Sequence, residues 1–461
     1  MMKSKVSIAV CLLLSMLDFA AGAESKFVPK SSEFTLPNGL RIILMENHQQ
    51  PMVDFVLQFK TGALSDPADL SGLTAVTLEM LKEGTRAFPG DVLMNSVDSA
   101  GGTIVPVYGY DGMALRGSFL SRDTRFAFDI LSEIIIHPQF DEQSLEHLKK
   151  RLTSLIMQRN SVVRYRLVGM LNRTLYGDAG YGLSAEGTQA GIRKIGIEDV
   201  REFYRKYFLP GNAVLIVAGD FKPDGVKSLI RKSFAGWQRG SDQVGLTAKP
   251  TLPDTLRIII MDNPEVPSTE FVIGRPAVAA GTGDYAALML LDYLLGGGGD
   301  ISRLSQSLIR DRGLVTQISS QINWTRGEGV MYIYGSSTNE MAAEAVKQTL
   351  EVLDNLKNIK VPARELEDAK NFYRGIIPGY FETTYSSMMM LAKMIVLGQK
   401  FDYYDRILRD FDSAEPGRLR KIAEEYLDKN HLTIVVSGPE SVLKRGLSQL
   451  GSVEVISSGR N

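Results

Sequence analysis

Two copies of one α+β domain, each a largely antiparallel sheet with helices packed on one face, closing as a clamshell, are what this sequence predicts. Three observations carry the prediction. The stretch "TLPNGLRIILMEN", Thr35 to Asn47, returns as "TLPDTLRIIIMDN", Thr251 to Asn263, with nine of thirteen positions identical at an offset of 216. A later strand, "AVLIVAGD" from Ala213, is echoed by "HLTIVVSG", His431 to Gly438, with Tyr207 and Tyr426 just upstream at an offset of 219. A period this long means duplicated domains, not a solenoid. Third, strands and helices mix without strict β-α-β alternation, which favours antiparallel sheets.

The elements follow in order. Gly39 to Met45 alternates poorly but is rich in isoleucine and leucine, after "PN" and "NG" turn signals, and reads as a buried strand. Met52 to Lys60 is a second strand, and "TGALSDPADLSG" is a loop. Leu73, Val76, Met80 and Leu81 fall at helical spacing. "FPGDVLMNSVDSAGG" gives a helix stopped by a glycine pair, and "TIVPVYGYDGMALRGSF" a strand pair. Two amphipathic helices follow, "TRFAFDILSEIII" and "DEQSLEHLKKRLTSLIMQRN", then the strand from Ala213 and a helix through Trp237. The second copy opens with two strands and the helix "DYAALMLLDYLLGGGG". The predicted division is a first domain at 31–237, a linker at 238–252 and a second domain at 253–450.

Composition sets the class. With 461 residues, 44% hydrophobic and 23% charged, the chain has an ordinary globular make-up and length for about two to four domains. Net charge is −1 and neither half carries a long basic run, which argues against nucleic acid as a partner. Lys3 and Lys5 precede "VSIAVCLLLSML", and Ala21 to Ala23 supplies small residues, so residues 1–23 read as a cleaved export signal, too short in its apolar core to span a bilayer. Cys11 is the only cysteine and leaves with the signal. An exported, cysteine-free chain of this size suits a bacterial periplasm. No later segment is apolar enough to cross a membrane.

Six motifs occur in order: "LPNGLRIILMEN", "GLTAVTLEMLKEGT", "YGDAGYGLSAEGT", "DVREFYRKYFLPGNAVLIVAGDF", "LLGGGGDISRLSQSLIRDRGL" and "YLDKNHLTIVVSG". Together they resemble the pitrilysin/insulinase family of zinc peptidases, the branch with mitochondrial processing peptidase and its bacterial relatives. The resemblance runs over nearly the whole mature chain. It implies two homologous α+β domains and a zinc site built on an inverted His-x-x-Glu-His helix. In that arrangement two imidazoles at i and i+4 share a helical face and grip the metal, and the Glu between them activates water.

This chain keeps the frame of that motif and loses its contents. Gly72, Leu73, Met80, Leu81, Gly84 and Thr85 match without a gap, but Ala75 stands at the first His, Leu78 at the Glu and Glu79 at the second His. The resemblance places a third ligand, a Glu, near Thr153 to Leu155, and no acidic residue lies between His147 and Arg173. The four histidines, His48, His137, His147 and His431, have no pair three or four apart; His147 with Glu142 and Glu146 reads as a solvated charged helix face. Glu79 reads as a solvated or paired helix residue, the alternative being a lone carboxylate in a cleft.

In the second half, active relatives use an Arg and a Tyr seven residues apart to orient peptide and stabilise the oxyanion. The matching positions here are Ile309 and Thr316, with Arg310 adjacent and Arg312 in the "RGL" triplet. One residue turns a helical side chain by about 100°, so Arg310 is not expected to substitute. The run Gly296, Gly297, Gly298, Gly299 either lets backbone approach a peptide or is a loop after a helix end. It has no Lys-Ser/Thr for phosphate. Met388 to Met390 are consecutive, so they fill core rather than ligate metal. The chain is therefore expected to bind no cofactor and to be inactive by itself. The function expected is a non-catalytic, peptide-binding partner of a homologous zinc-bearing peptidase subunit. The alternatives are a peptidase with a rebuilt site and a peptide-binding scaffold outside proteolysis.

Overall fold

A computed structural model describes residues 25–240, 248–358 and 361–457. The expected signal segment and residues 241–247 of the expected linker lie outside these. Each half builds a six-stranded sheet. The first contains β1 (Ser32–Thr35), β2 (Arg41–Glu46), β3 (Met52–Phe59), β4 (Thr103–Tyr108), β5 (Met113–Leu120) and β6 (Ala213–Gly219), in the order β1-β2-β6-β3-β5-β4. The second contains β7 (Arg257–Asp262), β8 (Ser268–Pro276), β9 (Gln317–Asn323), β10 (Val330–Thr338), β11 (Thr433–Gly438) and β12 (Ser452–Ser457), in the order β12-β7-β11-β8-β10-β9. Pairing is mainly antiparallel; β2 with β6, β7 with β11 and β7 with β12 are the parallel pairs. The repeated sequence is thus β2 and β7, each beside the strand that echoes across the halves.

The strand residues explain why alternation was weak in the sequence. Ile42, Leu44, Phe55, Leu57, Leu215 and Val217 enter one core, while their neighbours Ile43, Met45, Val56, Val214 and Ile216 enter another on the opposite face. A strand buried on both faces reads as one apolar run. The second sheet does the same, with Ile258, Ile260 and Phe271 on one side and Ile259, Met261 and Val272 on the other. Helices pack on one face of each sheet, as expected. The other face is covered too, by a helix from the opposite half. Helix Val163–Tyr176 sets Leu167, Leu171 and Leu175 against β8 and β11; helix Thr384–Val396 sets Met388, Leu391 and Met394 against β3 and β6. Gly274 makes room for the first of these, since a Cβ there would stand 2.6 Å from Leu171 Cδ2.

The duplication extends to a cross-strand detail. Phe55 opposes Gly117, and Phe271 opposes Gly335; in both pairs the ring occupies the space a Cβ on the glycine would need. Two points differ from the sequence reading. The second domain does not end at 450, because β12 completes its sheet. Nor is a contiguous half a packing unit, because the outer face of each sheet is covered by the other half's crossing helix. Among the described residues, no helix is long and apolar enough to cross a membrane.

Candidate functional site

The motif helix, Leu73–Met80, starts at Gly72, whose φ of 104° is left-handed and whose Cβ would stand 2.8 Å from the Ile192 side chain. Asp66 caps it from a distance, accepting the Gly72 and Thr74 backbone N–H groups at 2.9 Å and the Thr74 hydroxyl at 2.5 Å. Burial pushes the Asp66 carboxyl up to about 6, and those hydrogen bonds hold it from going further. At the far end Gly84 has φ 137°, with Gly90 N 2.5 Å from its Cβ position, and buried Thr85 bridges to Pro138. The matching frame residues therefore hold backbone in place. They are needed by the fold whether or not the helix carries chemistry.

The side chains between them are core. Ala75 and Leu78 are both 0% exposed, and Leu78 belongs to the hydrophobic core of the first sheet. Glu79 is the one acid left, and it is paired. Arg151 Nη2 lies 3.3 Å from its Oε2 and Lys82 Nζ 3.7 Å, while the same guanidinium reaches Glu83 Oε1 at 3.4 Å. Arg151 comes from helix Glu142–Ser161, the helix on which the resemblance puts the third ligand. On that helix Thr153 turns its hydroxyl back to Lys149 O at 2.5 Å, and Leu155 is 53% exposed. Beside them an open cleft of about 110 Å³ is lined by Tyr108, Leu152, Leu155, Ile156, Arg159 and Glu186.

Tetrahedral zinc needs three nitrogen, sulfur or carboxylate donors converging at about 2 Å. The residues present do not fit it. A methyl and an isobutyl group replace two donors, and the remaining carboxylate is already neutralised by two cations. Among the described residues, no three of His, Cys, Asp and Glu come together as a metal-holding group. His147, Glu142 and Glu146 are exposed, and Glu146 pairs with Lys149 at 2.8 Å.

The second-half candidates form a separate cluster around β9. Gly296 is buried, where a Cβ would strike the Ser320 backbone; Gly299 has φ 67°. Those two glycines answer to packing and backbone geometry, whereas Gly297 is exposed and Gly298 half-buried. Ile309 packs against the second core, Leu308 is buried, and Arg310 and Arg312 point to solvent. The Thr316 side chain takes no tyrosine-like reach, since its hydroxyl bonds Ser336 O at 3.3 Å. The motif helix packs in the core of the first sheet and this cluster against that of the second. Met388 is 0% exposed and packs in the inter-half core, in line with its reading as filler.

The sequence reading missed the joint between the halves. Arg326 donates through Nη2 to Val396 O at 2.8 Å, Asp111 O at 2.9 Å and Lys60 O at 3.1 Å, and its backbone N–H meets Asp111 Oδ2 at 2.9 Å. Tyr181 donates to Asp111 Oδ1 at 2.6 Å, and burial pushes its hydroxyl far up; Tyr176 donates to Gly329 O at 3.0 Å. The two tyrosines of "YGDAGYGLSAEGT" thus serve the joint, a role only their aromatic content hinted at, while Gly187 and Thr188 pack on Gly72 and Ser71 at the start of the motif helix.

The family model described as Insulinase (Peptidase family M16) matches residues 41–189, and that described as Peptidase M16 inactive domain matches residues 194–373. The chain is similar to an uncharacterized zinc protease, YmxG, of Bacillus subtilis, at 22% identity over 88% of this chain and 97% of that one. In Helicobacter pylori it is similar to a non-peptidase homolog, also named YmxG (21%; 86% and 91%), and to the zinc protease PqqE (22%; 93% and 97%). Its fold matches the crystal structure of a peptidase M16 inactive domain from Pseudomonas fluorescens, with a TM-score of 0.81 at 21% identity over 89% of this chain and 98% of that one. A protease structure from Helicobacter pylori also scores 0.81, at 19% identity over 90% and 100%.

Proposed function

The chain belongs to the M16, or insulinase, peptidase family, and we propose that it is a non-catalytic, peptide-binding partner subunit of a zinc-dependent endopeptidase of that family. One observation carries the reading: the motif helix is kept in place by Gly72, Asp66 and Gly84 while Ala75 and Leu78 are packed as core and Glu79 is tied to Arg151. A helix that still stands but has lost its donors serves to shape a surface, not to activate water. β4 and β9 are outermost in their sheets among the described residues, and such an edge would offer backbone groups to an extended peptide by strand addition. The zinc would sit in the homologous subunit. Export through residues 1–23 to a bacterial periplasm belongs to the same proposal.

The test is a purification of the chain with and without a homologue that has an intact His-x-x-Glu-His, with zinc measured on each component. The chain alone should carry no stoichiometric zinc and cut no peptide, and mixing should raise peptidase activity above that of the homologue alone. Chelator-sensitive hydrolysis by the isolated chain would overturn the reading, and so would an activity indifferent to mixing.

A further inference from the structure

The loop after β2 ties the halves together through a chain of polar contacts that its repeat lacks. β2 and β7 leave their sheets alike: the Asn47 N–H bonds Gly219 O at 2.8 Å, and the Asn263 N–H bonds Gly438 O at 3.0 Å. The side chains then part. His48 and Asp220 stand in the first half where Pro264 and Pro439 stand in the second. His48 bridges two acids, with Nδ1 2.5 Å from Asp220 Oδ1 and Nε2 2.8 Å from Glu46 Oε1. The Ser121 hydroxyl donates to the other Asp220 oxygen at 3.0 Å and orients that carboxylate.

A neutral imidazole carries one N–H, and an imidazolium carries two. Both carboxylates accept, so both contacts are made only by the protonated ring. Once it loses a proton, one ring nitrogen turns a lone pair toward a carboxylate and that contact fails. The hydrogen bonds to Asp220, and then to Glu46, raise the His48 pKa above its ordinary 6.5, and the ring in turn lowers the Asp220 carboxyl. The other charges nearby do not replace the ring. Lys222, after β6, is 3.8 Å from Glu46 and 85% exposed. Arg122 and Asp123 pair with each other at 3.4 Å, and Asp224 pairs with Lys227 at 3.7 Å. Asp54 on β3 is bonded to Ser118, and the start of the crossing helix brings Thr384 and Tyr385, both uncharged.

The residue beside His48 carries the effect to the other half. The Gln49 N–H donates to Asn47 Oδ1 at 2.8 Å, which orients the amide so that its Nδ2 donates to Thr384 Oγ1 at 2.5 Å. Thr384 is the first residue of the crossing helix that covers β3 and β6. We propose that Glu46, His48 and Asp220 form a pH-sensitive clasp which, through Asn47, secures the start of this helix to the first sheet in acid and lets it fray toward alkaline pH. The sign follows from linkage: a histidine that binds its proton more tightly when folded stabilises below its ordinary value, and that stabilisation is lost as pH rises through the folded value. The clasp acts on the joint whatever the halves hold, so it goes beyond the peptide-holding reading and does not depend on it.

In the full mature chain, the His48 ring is followed by NMR with labelled histidine from pH 5 to 9. Amide exchange at residues 387–390 is measured alongside, corrected for its intrinsic pH dependence and referred to β3 and β8. His48 should titrate above 6.5, and protection at 387–390 should fall about threefold across that titration while the two reference strands hold level. His48→Gln, at an exposed position, should leave protection at the lower level and flat with pH. Asn47→Ala should also flatten it while His48 still titrates high, which separates the bridge from its link to the helix. A His48 titration at or below 6.5 overturns the bridge. A high titration with flat protection in the unaltered chain overturns the link, and a pH response that survives His48→Gln assigns it to another group and overturns the clasp.

Discussion

Five strands of each sheet have a counterpart in the other, and the sixth does not. Beside β2 lies β1, antiparallel and drawn from the N-terminal end; beside β7 lies β12, parallel and drawn from the C-terminal end. Inside, the halves match down to Phe55 over Gly117 and Phe271 over Gly335. At the rims they part. The first half has an emptied motif helix, and the second has a glycine run beside the half-buried carboxyl of Asp292. Core positions are held by burial on both faces, so they tolerate little change. Rim positions answer to ligands and partners, so each half has become its own surface there.

The comparison breaks most directly at the crossing helices. Leu171→Ala and Leu391→Ala each empty a fully buried site on one sheet's outer face and should each cost about 2–5 kcal/mol. If the halves depend on each other, both variants will shift one shared urea transition. Two separable transitions, with only the sheet facing the altered helix lost, would show that the halves fold independently.

Arg326→Ala comes next. It removes a half-buried guanidinium from three carbonyl oxygens at the joint, a loss of about 2–3 kcal/mol. Unlike the leucine variants it should weaken the seam without opening either core. Protection of backbone amides around Asp111 and Gly327 should therefore fall more than protection in β3 or β8. Equal loss in both places would mean that Arg326 supports the cores and not the seam.

Each half also carries one carboxyl raised by burial to about 6, Asp66 in the first and Asp292 in the second. Their folded pKa values lie above the ordinary carboxylate value, so the folded chain holds more protons between about pH 4 and 6. Stability should then fall as pH rises through that window and level off above it, by about 3 kcal/mol for each group. Asp66→Asn and Asp292→Asn should each remove a share of the slope, read from urea midpoints at pH 4, 5, 6 and 7. A slope unchanged in both variants would assign it to other groups.

Much of this was legible in the sequence, and the limits have physical causes. The repeat at Thr35 and Thr251 showed the duplication because strands buried on both faces cannot drift far. The emptied motif was legible because Gly72, Gly84 and Thr85 hold backbone, so the register of Ala75, Leu78 and Glu79 could be counted from them. The exchange of helices was not legible. Leu167, Leu171 and Leu175 announce an apolar stripe but not which sheet it meets. Arg326 was hidden for a related reason: its acceptors are mostly backbone carbonyls, which leave no mark in a sequence. β12 was missed because "SVEVIS" has only one half-buried face and no counterpart in the first half.

The smallest effect tests the comparison at its finest grain. Each crossing helix starts with a contact between an arginine and a tyrosine, and the two contacts are reversed. On helix Val163–Tyr176 the helix gives Arg164, which lies 4.6 Å over the ring of Tyr334 on β10; on helix Thr384–Val396 the helix gives Tyr385, whose hydroxyl is 3.5 Å from Nη1 of Arg116 on β5. Arg164 also donates to Gln321 Oε1 at 2.8 Å, so its cation is oriented over the ring. Arg164→Gln should therefore cost about 0.5–1 kcal/mol, whereas Tyr385→Phe, losing one long hydrogen bond at an exposed side chain, should cost about 0.5 kcal/mol or less. If the two variants cost the same, the reversal is incidental. If Arg164 costs more, the second sheet is the more tightly clasped of the two, and the first sheet, beside the emptied motif helix, is where the clasp was free to loosen.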